Sequence, residues 1–176
     1  HNVRANIPTA DAAGLVVLPV AAWDADEDLT VHAGEPGNSG DHRVGAIGGS
    51  GEPVRGVRLA GVPVLAQRQV RLVKCDAQGR DHRALTGLVD VLRRDRPDVL
   101  CEFWPAEITA SGADPAAVVQ TYQGWDYDVL PVTDELVDDL VAGRTIARSR
   151  RSARGLVRLA ESSSDGFVTL WLRGRH

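Results

Sequence analysis

The stretch VRLVKCDAQGRDHRALTGLVDVLRRDRPDVLCEFWP, from Val70 to Pro105, decides the fold. Val70 to Cys75 is an apolar run of strand length that ends in Lys74-Cys75-Asp76. A polar turn with Gly79 follows, and then Ala84, Leu85, Leu88, Val89 and Leu92 recur at helical spacing, which lays one apolar stripe against a sheet. Arg93, Arg94 and Arg96 complement the helix dipole at its carboxyl end. Pro97 breaks the pattern, and Asp98 to Phe103 reads as a second strand with Glu102 near its end. Strand, helix and strand joined by short loops predict a right-handed parallel crossover. The polar residues then sit at the carboxyl ends of both strands, the side on which open α/β sheets bind ligands.

Downstream, Asp114-Pro115 is a helix start, an N-cap acid followed by proline at the first helical position. Ala116, Val118, Val119 and Tyr122 form its face, and Gly124 ends it. Tyr127 to Val132 is a strand, Thr133 caps a short helix with Leu136, Val137, Leu140 and Val141, and Phe167 to Leu172 is the terminal strand. Between them, Arg144 to Arg158 reads as a solvated loop, with an anion-contacting lid as the alternative. Upstream, His1 to Ile7 reads as the end of a helix stopped by Pro8. Leu15 to Ala22 and Leu29 to Ala33 are expected to form an antiparallel hairpin across the acidic turn Asp24 to Asp28. Gly34 to Pro53 is a turn-rich loop with one short strand at Arg43 to Ile47, and Val54 to Leu65 carries two short β-like pieces. Alternating β and α elements predict a largely parallel sheet covered by helices on both faces.

The chain has 176 residues, 43% hydrophobic and 25% charged, which suits one domain with its own core. A net charge of -4 argues against a nucleic-acid partner. No apolar run approaches membrane-spanning length, and the polar start carries no signal-peptide pattern. With Cys75 and Cys101 as the two cysteines, a reducing, cytoplasmic setting is expected. The five histidines and two cysteines show no metal-ligand spacing, so no metal is expected. No serine elbow or P-loop is present.

VKCDAQGRDHRALTGL resembles the K-I-D-x-E-G-x-E-x-x-x-L-x-G segment of the FkbM-type methyltransferases, with Lys74, Asp76, Gly79, Leu85 and Gly87 matching. RPDVLCEFWP resembles the strand that follows it in that family, Asn2 to Asn6 its helix after the ribose-binding acid, Leu18 to Ala21 its next strand, and Asn38-Ser39-Gly40 its Asn-x-Gly loop. Gln78 stands where the family has Glu, Asp81 is its second acid, and the usual Leu-Asp before the central strand has no counterpart in Gly61 to Val64. The resemblance implies a Rossmann-like class I methyltransferase fold: a three-layer α/β sandwich with a mostly parallel sheet and an antiparallel carboxy-terminal strand. It also implies S-adenosylmethionine as cofactor and O-methylation of a small-molecule acceptor, a sugar or natural-product intermediate. The family's glycine-rich loop and ribose-binding acid would precede His1. Residues 1–176 are therefore expected to be a single methyltransferase-like domain lacking its first glycine-rich βαβ unit. The only glycine cluster, Gly45 to Gly51, neither follows a strong strand nor opens a helix, so it fails as an adenosyl fingerprint.

On this resemblance Asp76 faces the reacting centre, orienting the donor or the acceptor hydroxyl, with a base role if burial raises its pKa; the alternative is a helix-capping Asp. Glu102 shares the cleft from the adjacent strand, or pairs with a loop arginine. His42, in the loop Asn38 to Arg43, is the histidine that could reach the site, with a solvated loop histidine as the alternative. Ala21, Ala22 and Trp23 flank the adenine, Trp23 either stacking on it or covering the sheet edge. Asn38, Gln78 and Trp104 are the candidate acceptor contacts, Trp104 otherwise filling the core rim. Two other classes stand beside this one: a non-catalytic Rossmann-like partner or scaffold domain, and another Rossmann-like enzyme such as a nucleotide-sugar transferase. A homo-oligomer is compatible with any of them.

Overall fold

The structure, a computed structural model, describes residues 15–33, 42–46, 51–147 and 151–175. The central unit forms as the sequence predicts. Strand β5 (Leu72–Cys75) pairs in parallel with β6 (Asp98–Phe103), in the register Leu72↔Asp98 to Cys75↔Cys101. The connecting helix is not continuous. It divides into α2 (Asp81–Thr86) and α3 (Val89–Asp95) around Gly87. A Cβ at Gly87 would overlap the Trp23 carbonyl oxygen, while the Gly87 carbonyl accepts the Ala60 N–H at 3.0 Å. Close backbone approach interrupts the helix where the apolar stripe alone would continue it. Arg96 then ends α3 in the left-handed region at φ 49°.

Two further strands complete this sheet, β7 (Tyr127–Pro131) and β8 (Val168–Gly174), in the order β5-β6-β8-β7. Terminal strand β8 lies antiparallel to both neighbours, Cys101↔Leu170 on one side and Val129↔Leu172 on the other. A second four-stranded sheet has the order β1-β4-β2-β3, from β1 (Ala21–Ala22), β2 (Glu27–Ala33), β3 (His42–Ala46) and β4 (Glu52–Val57). Here the expected hairpin does not form. Leu15 to Leu18 are exposed and unpaired, β1 pairs in parallel with β4, and β2 pairs antiparallel with both β3 and β4. After β4 the chain makes a 3-10 turn (Leu59–Gly61) and the short α1 (Pro63–Ala66), not a second β piece.

Both sheets are thus mixed rather than mostly parallel; β1–β4 and β5–β6 are the parallel pairings among the described residues. One core cluster forms on one face of the β5-β6-β8-β7 sheet, collecting Val99, Cys101 and Phe103 of β6, Tyr127 and Val129 of β7, and Leu170 and Leu172 of β8. Against these pack Leu85, Leu92, Ile108 of α4 (Pro105–Ala110), Val119 and Tyr122 of α5 (Pro115–Gly124), and Leu156 of α7 (Ala153–Glu161). On the alternate positions Leu100, Glu102 and Trp171 are only half-buried and Leu72 is 61% exposed. The described residues therefore do not form the expected three-layer sandwich. Their fold is mixed α/β.

Besides α1, two helices were not expected. α4 starts on Pro105 directly after β6. α7 occupies the arginine-rich segment read as a loop: Ser152 accepts the Gly155 N–H at 3.1 Å, and Ala153, Leu156 and Ala160 are buried at helical spacing. The predicted caps are in place, Asp114 on the Ala116 N–H at 2.9 Å and Thr133 on the Leu136 N–H at 3.3 Å, the latter opening α6 (Asp134–Val141). No helix among the described residues is long and apolar enough to cross a membrane. The segments holding His1 to Ile7, Asn38 to Gly40 and most of the Gly45 to Gly51 cluster lie outside the described residues.

Candidate functional site

The ends of β1 and β5 meet at a cleft of about 330 Å³, lined by Ala21, Ala22 and Trp23 from the first, His42 and Val44 of β3, and Lys74, Cys75, Asp76, Ala77 and Arg80 from the second. Five of the residues singled out in the sequence, Ala21, Ala22, Trp23, His42 and Asp76, thus line one cavity although they are spread over 56 positions of the chain. The cause is topological. β1 is carried by β4, β3 by β2, and α2 locks this sheet to β5 through Trp23.

Trp23 is 5% exposed. Its Nε1–H donates to Glu27 at 2.6 Å, the Arg83 guanidinium lies 4.9 Å over the ring, and Arg83 also donates to Asp24 at 3.1 Å. The indole is therefore a bolt between α2 and the first sheet. It forms part of the cleft wall with one face already occupied, as a tryptophan covering the sheet edge would.

Asp76 stands at the mouth, its side chain 54% exposed and within 3.3 Å of Lys74 Nζ. Gln78, at φ 48° in the turn, lies 3.5 Å from the same carboxylate. The burial that a base role calls for is found instead at Glu102. Its Oε2 is buried without a hydrogen-bond partner. Burial, with Asp81 and Asp76 adding to it, pushes its pKa up to about 7. The register that pairs Cys75 with Cys101 places Asp76 and Glu102 one step further on, at the ends of neighbouring strands.

Trp104 belongs to a different surface. Its ring packs on Phe167 at 5.6 Å, with Arg43 at 5.5 Å on the ring, in a shallow pocket with Pro105, Thr109 and Gly166. Arg43 and Arg80 connect this surface to the cleft: Arg43 donates to Glu107 Oε1 at 2.7 Å and Arg80 to the Glu107 carbonyl at 2.9 Å. Gly79, at φ 80°, admits this packing because a Cβ there would strike the Glu107 side chain. Asn38 lies outside the described residues.

Three groups were given no role at the site by the sequence reading. Arg80 lines the cleft and is anchored by Glu107. Asp81 is buried behind the turn and accepts the Ala77 and Glu102 amides at 3.2 and 3.1 Å. His82, on the helix side, is pushed down to about 4 by burial and by Arg83 and Arg80. The signal for Asp81 was its place two residues after Gly79, where a first-turn acid meets the helix amino terminus. The two thiols are not nucleophiles: burial pushes Cys75 and Cys101 well up, and the Asp81 carboxylate adds to both.

Chemically, the cleft offers the exposed Asp76 carboxylate with cations at Lys74 and Arg80, while Glu102, whose pKa burial raises, lies on the neighbouring strand outside the cleft lining. Among the described residues no group of three or more His, Cys, Asp or Glu side chains is placed to hold a metal ion. Among the described residues, the turn that leads from β5 into α2 carries one glycine, Gly79, whose Cβ position is filled by Glu107. Comparison of the chain with protein-family models, with curated proteins and with solved structures finds no match.

Proposed function

We propose that the protein is an S-adenosylmethionine-dependent O-methyltransferase acting on a hydroxyl of a small molecule. The observation that carries this reading is the cleft between β1 and β5, which gathers Ala21, Ala22, Trp23, His42 and Asp76. These are the residues that the resemblance to FkbM-type enzymes assigns to the cofactor and acceptor sides. The antiparallel terminal strand, inserted between β6 and β7, also supports it. When bound, the cofactor supplies the methyl group; this chain's residues supply orientation and proton transfer. Asp76 orients the acceptor hydroxyl at the mouth. Glu102 takes its proton, a role worth about 10²–10⁴-fold in rate, and ionises for that task above about pH 7. Positioning contributes roughly 7–11 kcal/mol of the barrier in such reactions.

Among the described residues β5 pairs with β6 and has a second edge that no other strand covers, and Leu72 on it is 61% exposed. The same edge supports a second reading, a non-catalytic domain that pairs with a partner strand there. Calorimetry of the full-length protein with S-adenosylmethionine separates the two. Saturable binding, with transfer to a panel of hydroxylated acceptors lowered in Asp76→Asn, is expected. Absence of binding sinks the methyl-transfer reading, and unchanged transfer in Asp76→Asn removes that residue from the site.

A further inference from the structure

Asp81 is 2% exposed, and its carboxylate is spent on the backbone. Oδ2 accepts the Ala77 N–H at 3.2 Å and Oδ1 the Glu102 N–H at 3.1 Å; the Cys75 thiol bonds to it as well. Ala77 follows Asp76 directly, and the other amide belongs to Glu102 itself. The geometry has a simple origin. β5 leaves the sheet after Cys75, so the next amide of β6 loses the neighbour that a longer β5 would give it. The side chain of Asp81, reaching back from the first turn of α2, takes that position.

We propose that Asp81 is the positioning residue of this site, clamping the carboxyl ends of β5 and β6 so that Asp76 and Glu102 face one reacting group. The proposal rests on the methyl-transfer reading only for the identity of that group. Two amide N–H groups call for two acceptor oxygens, which the carboxylate supplies and a carboxamide does not, and the carboxylate has a second consequence. It places a negative charge beside Glu102 in a half-dry environment, where charge is felt strongly. The charged and titratable groups that face Glu102 are Asp81 of α2, Asp76 and Lys74 of β5, and the Cys101 thiol on its own strand. Of the two carboxylates, Asp81 raises Glu102 more than Asp76 does, and Lys74 opposes both. Asp81 therefore both fixes the Glu102 backbone and adds to the burial that raises the Glu102 pKa.

The test is the titration of Glu102 in the full-length protein, followed by carboxyl ¹³C NMR in wild type and in Asp81→Asn. The asparagine keeps one carbonyl acceptor in place and removes the charge. The wild-type midpoint is expected near the value of about 7, and in Asp81→Asn it falls by about one pH unit or more, the scale of a close like charge. A midpoint that does not move in a folded Asp81→Asn protein overturns the proposal. If that variant does not fold, wild type decides: Asp81 and Glu102 must titrate as a coupled pair, each resonance reporting both steps. Independent single-step curves overturn the proposal. Neither measurement needs donor or acceptor. A protein that fails to bind S-adenosylmethionine but shows the shift loses the methyl-transfer reading and keeps the clamp; binding without the shift does the reverse.

Discussion

Replacing Glu102 by glutamine should make the protein more stable at pH 8 and leave it nearly unchanged at pH 4.5. The reasoning begins with burial. Glu102 has a raised pKa of about 7 against an ordinary 4.5, so between those values the folded state binds more protons than the unfolded state. Stability attributable to this group therefore falls as pH rises through that window and levels off above it. The full difference corresponds to about 3.4 kcal/mol at 1.36 kcal/mol per tenfold in proton affinity. Because the side chain is only half-buried, water screens part of it, and we expect about 1–2 kcal/mol. His82, pushed down to about 4, slopes the other way: its contribution grows as pH rises from 4 to 6.5. The wild-type curve alone thus mixes two opposing trends. The difference between wild type and Glu102→Gln isolates Glu102, because His82 is common to both. Urea unfolding at half-unit intervals from pH 4.5 to 8.5 measures it. A difference that stays flat across this range refutes the argument and returns Glu102 to the status of a solvated strand-end carboxylate.

Further outcomes follow from packing. Gly87→Ala should destabilise by about 1–3 kcal/mol or more, since a Cβ there meets the Trp23 backbone, which cannot swing aside; a loss under about 0.5 kcal/mol in urea unfolding would contradict the close approach. Arg83→Ala should cost about 1–2 kcal/mol through its contacts with Trp23 and Asp24, with a change in Trp23 fluorescence as the independent readout. Asp114→Ala removes the cap on α5 and should cost about 1 kcal/mol. Cys75 and Cys101 should resist an aromatic disulfide reagent at pH 8 and react only as the chain unfolds, because burial holds both as thiols; a rapid phase in native protein would show that one is accessible.

What the sequence made legible were elements with local causes. β5, β6, β7 and β8 were readable as apolar runs between turn signals, and the Asp114 and Thr133 caps announced their helices. What it hid had causes elsewhere in the chain. The stripe from Ala84 to Leu92 gives no hint of the break at Gly87, which Trp23 imposes from more than sixty positions away. β1 is a strand because β4 lies beside it, so local pattern extended it wrongly back to Leu15. α7 is a different case. Ala153, Leu156 and Ala160 already stood at helical spacing, and the arginines among them drew attention to charge instead of period. At the candidate site, residue type and strand-end placement pointed to Asp76 and Glu102, and a loop position to His42, but only the fold shows which carboxyl is dry.

That distinction bears on how the chemistry is divided. A single strand-end carboxylate has to be accessible to orient a hydroxyl and desolvated to take its proton, and these demands conflict. On the proposed reading they fall on neighbouring strands. Asp76 remains exposed and paired with Lys74, while Glu102, one strand over, keeps an oxygen buried without a partner. Asp81 ties the two strand ends together from behind. On this proposal the carboxylate that adds to the effect of burial on Glu102 is itself held by three hydrogen bonds and is out of reach of solvent.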